Sequence, residues 1–198
     1  MIPRNVLSCW FGRGEKSELF KRCRESKERI LAGWNFIDVN EDNCAMMHMP
    51  YMKAVHERGE FVKCTELGRL WALCVYGGVY MDEDVEVVKP FDPLLDRQFF
   101  IGREDDRWVN GAVMGSKQMA MTAVQLLGGF PVDSDGRELA NVYGPKYLTA
   151  KLAEIGFTDI LPPEYFYPYS FGQTRKQAVI TPNTYAMHHW AGSWIGKY

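Results

Sequence analysis

Short apolar runs alternate with amphipathic stretches along this chain. Residues 6–11 follow a proline, are mostly apolar and stop at Gly12, the pattern of a buried first strand. Residues 17–31 have helical spacing, with Leu19, Phe20, Cys23, Ile30 and Leu31 as the apolar positions. Residues 34–39 read as a second strand. It runs out into Asn40-Glu41-Asp42-Asn43, a polar loop able to cap a following helix. The strongest helix is predicted over 61–76, where Leu67, Leu70, Trp71 and Cys74 fall on one stripe. Gly77-Gly78 ends it, because glycine accepts the left-handed backbone of a helix C-cap. Val79-Tyr80-Met81 then reads as a short buried strand, and Asp82-Glu83-Asp84 lies where that strand emerges.

Residues 85–88 resume an extended pattern that Lys89-Pro90 stops. Strands are predicted at 98–102 and 111–115, and a helix at 119–127. Gly144-Pro145 breaks the chain before a helix over 146–155. Beyond Pro162 the sequence is rich in Pro, Tyr and Phe and has little periodicity. There is no internal repeat and no linker. Strands alternating with helices predict one α/β sandwich over residues 1–198, built on a mixed, mostly parallel sheet.

Composition narrows the function. The chain has 198 residues, of which 46% are hydrophobic and 14% aromatic, enough for a sizeable core. Lys and Arg number 23 against 25 Asp and Glu, so no basic excess points to nucleic acid. The most basic stretch, 16–29, is interleaved with Glu18, Glu25 and Glu28 and reads as a solvated helix face. Five cysteines, an odd number without a CxxC pair, fit reduced thiols in a cytoplasmic protein better than a disulfide framework or structural zinc. The N-terminus lacks a signal-peptide core, and the apolar uncharged run 70–81 is split by Gly77-Gly78 and too short to span a bilayer. The expectation is a soluble protein, at most peripheral to a membrane.

The chemistry concentrates between Glu66 and Asp84. A mostly apolar helix carrying Glu66 and Arg69 leads through two glycines into a buried strand that ends in two carboxylates. In an extended chain residues i and i+2 face one side, so Asp82 and Asp84 can converge on one ligand. Paired oxygen donors suit a hard divalent cation, and strand ends in α/β sheets are where ligands bind. Arg69 either pairs with Glu66 or an aspartate, or turns its forked donors to a phosphate.

The run from Arg69 through Tyr76-Gly77-Gly78-Val79-Tyr80-Met81-Asp82-Glu83-Asp84-Val85 closely resembles the DXD region of glycosyltransferase family 32, the capsular-polysaccharide and mannosyltransferase-like sugar transferases. Other landmarks follow in that family's order. Ile2-Pro3 and Cys9-Trp10-Phe11-Gly12 resemble its first strand, and residues 34–43 its second strand and polar loop. Asn110-Gly111 resembles the loop that approaches the sugar. Pro163-Glu164-Tyr165-Phe166-Tyr167-Pro168 and His188-His189-Trp190-Ala191-Gly192-Ser193-Trp194 resemble its closing segments.

The resemblance implies a GT-A fold, a nucleotide-sugar donor (a UDP-sugar being the expected form), manganese or magnesium, and retention of anomeric configuration. The acceptor would be a glycan or a lipid-linked sugar. Asp84 would bind the metal, with Asp82 sharing it or touching the ribose. His188 would be the third protein ligand, ahead of His189. Asp82, Asp84 and Arg69 would carry the catalysis. Glu66 and Arg69 would contact the donor sugar or its phosphate, Asn110 the sugar, Trp10 the base, and Ser193 and Trp194 the diphosphate. For Trp10 and Trp194 a core role is an equal alternative, and one histidine of the pair could pack in the core while the other is exposed. The segment after Met187 would be a flap, loose without donor and hinged at Gly192.

Two departures bear on the donor. Glu66 stands where the family usually has Asp, and Leu7 stands where many relatives carry a polar residue. Two rival readings remain. A phosphohydrolase of the haloacid-dehalogenase type also carries DxD after an apolar strand, but near its N-terminus. A non-catalytic sugar-binding module could share the fold without turnover.

Overall fold

The computed structural model describes residues 1–132 and 144–192. Its first unit is strand β1 (Asn5–Cys9), helix α1 (Glu18–Ile30) and strand β2 (Asn35–Val39). Ser17 begins α1 as its N-cap, its hydroxyl oxygen accepting the Phe20 N–H. Helices α2 (Pro50–Glu57) and α3 (Phe61–Tyr76) follow, then strands β3 (Gly78–Met81) and β4 (Val85–Val87). The second half holds β5 (Phe99–Arg103), β6 (Val109–Ser116), α4 (Met121–Gly128), α5 (Gly144–Glu154) and β7 (Ala186–His188).

Five strands form the central sheet in the order β2-β1-β3-β6-β5. β1 pairs in parallel with β2 and with β3, whereas β6 runs antiparallel to both β3 and β5. Only β6 is therefore reversed, and the sheet is mixed and mostly parallel, as the alternation of elements predicts. The carboxyl ends of β1, β2 and β3 share one edge. The start of β6 shares it too, since Met81 pairs with Val113 and the Asp82 N–H donates to the Ala112 carbonyl.

Each face of the sheet buries its own core. On one face Leu7, Cys9 and Tyr80 pack with Leu67, Leu70, Leu73, Leu126 and Leu148 of α3, α4 and α5. On the other, Val6, Val79 and Met81 pack with Leu31, Val85, Val87, Phe166 and Tyr185. The split follows the period of two along a strand, which sends Val6 one way and Leu7 the other. Leu7 is fully buried, so it is a core residue of the sheet.

Several boundaries differ from the reading of the sequence. Asn40-Glu41-Asp42-Asn43 caps no helix. Its side chains close the loop on itself, Asn43 Oδ1 accepting the Asn40 N–H and Asn40 Oδ1 accepting the Asp42 N–H. Pro50 opens α2, because the first helical position needs no N–H. Gly144 and Pro145 likewise begin α5 rather than precede it. Asn110-Gly111 is part of strand β6 and not a loop. Gly77 does end α3 with a positive φ of 61°, but its ψ of 166° is extended rather than left-handed helical. A side chain there would drive its Cβ to 2.5 Å from the Gln118 backbone nitrogen, so glycine is needed for space as well as for φ. β4 leaves the central sheet altogether. It pairs antiparallel with β7, a strand drawn from the tail where no periodicity signals one.

Candidate active site

Asp82, Asp84 and His188 each offer a ligand atom, and these atoms lie within 4.8 Å of one another at the carboxyl edge of the sheet. Two backbone arrangements bring them together. After Met81 the chain turns, the Val85 N–H donating to the Asp82 carbonyl at 3.1 Å. The two aspartates therefore converge through a tight turn, and not along an extended strand. The β4–β7 ladder then sets His188 opposite Val85 and its Nε2 3.3 Å from Asp84 Oδ1.

Each carboxylate has a defined setting. Asp82 Oδ1 accepts the Tyr80 hydroxyl at 2.6 Å and lies 3.8 Å from the Arg69 guanidinium. Asp84 Oδ2 accepts the Ala191 N–H at 2.8 Å, and its carbonyl accepts the His189 N–H at 3.0 Å. Burial pushes the Asp84 carboxyl up, yet His188 and the Ala191 amide outweigh it and hold the group at about 2. Glu83, between the two, turns away and pairs with Lys16 at 2.8 Å.

Arg69 is buried on α3. Burial works against its charge, but Asp82, Tyr80 and Glu66 outweigh that and raise it above the ordinary arginine value. Its guanidinium lies over the Tyr80 ring, 5.3 Å from the centroid. One turn earlier, Glu66 has its Oε2 sealed from solvent with no hydrogen-bond partner among the described residues. Burial lifts this carboxyl to about 7 against the opposing pull of Arg69 and the Gly144 amide. A small cleft beside the pair is lined by Phe130, Gly144, Tyr147 and Leu148. Gly111 keeps this region open, since a Cβ there would meet the Arg69 guanidinium at 2.9 Å.

The other expected residues are placed as follows. Trp10 stands just past β1, its indole N–H donating to the Gly14 carbonyl and its ring edge-on to Phe20. Asn110 is at the same edge with its side chain committed, donating to Glu104 at 2.6 Å and accepting the Ala112 N–H. His189 points away from the acidic cluster. Its Nε2 faces Glu86 at 2.9 Å and its Nδ1 faces the Tyr169 hydroxyl at 3.0 Å. His188 Nδ1 is buried and, among the described residues, has no partner. Ser193 and Trp194 lie outside the described residues.

The segment after Met187 is not a loose flap throughout. The His189 and Ala191 amides both bond Asp84, and the Trp190 indole N–H donates to the Tyr169 carbonyl at 2.9 Å. Trp190 packs against His188 with ring centroids 4.3 Å apart, on a backbone with a positive φ of 53° that costs a non-glycine residue strain.

Three side chains that complete the site were not singled out from the sequence. Tyr80 braces Asp82, and Glu104 holds Asn110. Lys27 is only 1% exposed and donates to the Asp82 carbonyl at 2.9 Å, so the basic stretch is not wholly a solvated face. Burial lowers the Lys27 ammonium, opposed by Glu83, Asp82 and Asp84. A signal existed: Phe20, Cys23, Lys27 and Leu31 lie on one helical stripe, and all four are buried.

Residues 16–101 match the family described as "Glycosyltransferase sugar-binding region containing DXD motif". This stretch, under half of the chain, resembles the sugar-binding region of DXD-type glycosyltransferases. The chain is 32% identical over 107 residues to inositol phosphoceramide mannosyltransferase 1 of Schizosaccharomyces pombe, a match that covers 50% of this chain and 33% of that protein. The chain thus spans about a third of the length of that curated relative. Among solved structures, the domain resembles the PaToxG glycosyltransferase with a TM-score of 0.63 at 14% identity, over 78% of this chain and 70% of that one. It also resembles a glycosyltransferase involved in glycosylating the major capsid of PBCV-1, with a TM-score of 0.50 at 13% identity over 93% and 92% of the two chains. At such identities the likeness is one of fold, and the chain has the GT-A fold. The phosphohydrolase and the sugar-binding module are not favoured by these relatives.

Proposed function

We propose that this domain is a retaining glycosyltransferase that moves a sugar from a nucleotide-diphosphate sugar, in the first instance a UDP-sugar, to a hydroxyl of a glycan or glycolipid. The observation that carries the reading is the convergence of Asp82, Asp84 and His188 within 4.8 Å at the ligand-binding edge of the sheet. Two carboxylates and an imidazole, drawn together at one strand end, form a donor set that suits manganese or magnesium. When bound, the ion would neutralise charge on the diphosphate leaving group.

The roles of the chain's own residues follow from their settings. Tyr80 and Lys27 hold Asp82 from its carboxylate and carbonyl sides, so the turn is ordered before substrate arrives. Arg69 directs a fixed positive charge at the donor phosphate or sugar. Glu66 presents a buried oxygen to a sugar hydroxyl from the neighbouring turn, and Asn110 borders that pocket. Trp10 is the proposed face for the base, and Ser193 and Trp194 the residues that close over the diphosphate. Among the described residues no carboxylate is set apart as a nucleophile, which favours attack on the face the diphosphate leaves, with the acceptor proton passing to that phosphate.

The name of the Schizosaccharomyces pombe relative makes a lipid-linked acceptor the first to test. We propose that residues 1–198 act as one domain, because β7 near the end of the described chain completes a ladder begun by β4. No described helix is long and apolar enough to cross a membrane. The five buried free thiols support a reducing compartment, and the cytoplasm is the proposed location.

A thermal-shift screen of nucleotide-sugars with and without manganese tests the reading. The true donor raises the melting temperature only with the ion present. If no nucleotide-sugar shifts the transition in manganese or magnesium, the proposal fails.

A further inference from the structure

Among the described residues, three of the most exposed large hydrophobic side chains belong to one excursion of the tail. Phe171 is 58% exposed, Val179 68% and Ile180 52%. They lie in the loop between Tyr169 and Thr181, whose arms are tied where the Val179 N–H donates to the Pro168 carbonyl at 2.9 Å. The polar side chains of this loop are used internally. Gln173 Oε1 accepts the Ser170 N–H, and Thr174 and Gln177 form a reciprocal capping box around a short 3-10 turn. Polar groups are thus satisfied inward while apolar ones face solvent, the reverse of an ordinary surface loop.

The charge carried by the loop itself has one sign. From Tyr165 to the C-terminus the sequence contains no Asp or Glu, while Arg175 and Lys176 sit between the apolar residues. A cavity of about 410 Å³ adjoins the loop, lined by Arg22, Arg29, Arg175, Glu25, Glu86 and His189. Glu86 is taken up by Arg175 and His189, each at 2.9 Å. Arg22 and Arg29 make no ion pair among the described residues. The loop is also seated on the candidate site, since Phe171 packs edge-on against Trp190, 6.1 Å between centroids, and Trp190 packs on His188.

We infer that this face docks on an anionic phospholipid bilayer, with Phe171, Val179 and Ile180 entering the acyl boundary and Arg22, Arg29, Arg175 and Lys176 meeting the headgroup phosphates. Apolar anchors ringed by cations are what the interface of an anionic membrane rewards, and neither element alone suffices for stable attachment. A second copy of the chain is the weaker occupant, because two such faces would bring like charges together. Docking would hold the Asp84–His188 edge at headgroup level, within reach of a lipid-linked acceptor hydroxyl. That last consequence rests on the glycosyltransferase reading, whereas docking itself does not.

Co-sedimentation with vesicles, run without donor or metal, tests the docking alone. The protein is expected to pellet with phosphatidylcholine vesicles containing about 30% phosphatidylserine, and to be released as salt rises from about 0.1 M to about 0.5 M. Pure phosphatidylcholine should hold it at least about tenfold less well. The double variant Val179→Glu/Ile180→Glu should lose about tenfold or more in vesicle affinity while keeping the wild-type melting temperature, since both side chains are exposed. Arg22→Glu/Arg29→Glu should lose binding to a similar degree. The inference is overturned if the wild-type chain stays in the supernatant with anionic vesicles. It is equally overturned if the Val179/Ile180 variant binds like wild type, or if sedimentation equilibrium shows that the face pairs two copies and the variant merely dissociates them.

Discussion

His188 Nε2 lies 3.3 Å from Asp84 Oδ1 because β7 pairs with β4 and sets His188 opposite Val85. One ladder thus joins the DXD turn to the tail. The candidate ion site depends on that pairing as much as on the aspartates.

The first prediction separates the histidines. Asp84→Asn and His188→Ala should each weaken manganese binding by about tenfold to a hundredfold, the range seen when a metal's immediate surroundings are disturbed. His189→Ala should leave manganese affinity within about twofold, because both its ring nitrogens are engaged elsewhere. Titration calorimetry with manganese reads all three. Equal losses for both histidine variants would show that the ladder, and not the ligand atom, is what matters.

Arg69→Lys keeps the charge but removes the guanidinium fork that lies over Tyr80 and beside Asp82. Turnover should fall by about tenfold or more with little change in melting temperature. Kinetics equal to wild type would make Arg69 a structural partner of Asp82 only.

Glu66 gives the site a pH signature. Burial raises its carboxyl from the ordinary 4.5 to about 7, so between these values the folded chain holds a proton that the unfolded chain has released. That contribution is fully present below 4.5 and is lost as the pH rises toward 7. Glu66→Gln should therefore be less pH-dependent and more stable than wild type at pH about 8, by at most about 3 kcal/mol. Urea unfolding at several pH values measures the difference. Parallel curves for the two proteins would mean that Glu66 titrates normally.

The tail offers a test by length. A chain ending at Gly192 retains His188 and the Ala191 amide on Asp84. It should bind manganese like the full chain and bind nucleotide-sugar at least about fivefold more weakly, if Ser193 and Trp194 close over the diphosphate. A chain ending at Met187 should lose both activities and also melt lower, because the β4–β7 ladder loses a pair. Undiminished donor affinity at Gly192 would remove Ser193 and Trp194 from the site.

Much of this was legible in the amino-acid order alone. The stripe of Leu67, Leu70, Trp71 and Cys74, closed by two glycines, determined α3 over the residues the structure gives it. The apolar run 79–81 determined that Asp82 stands at a strand end. These are local facts, set by helical and strand periods and by glycine's freedom in φ. Asp82, Asp84 and Arg69 could be singled out because their spacing lies within one short stretch, whereas His188 was reached only through the resemblance of its tail motif to a known family. What only the tertiary structure decided concerns partners remote in sequence. No local signal marks Ala186–His188 as a strand, since its three residues become one only by bonding to β4. The stripe on α1 places Lys27 on the buried side, but only the fold shows that its partner is the Asp82 carbonyl. The choice between His188 and His189 likewise follows from which ring the ladder turns toward Asp84 and which it turns toward Glu86. Periodicity fixes what the long segments are. Which polar groups meet is fixed by long-range backbone pairing, and that pairing carries no short-range code.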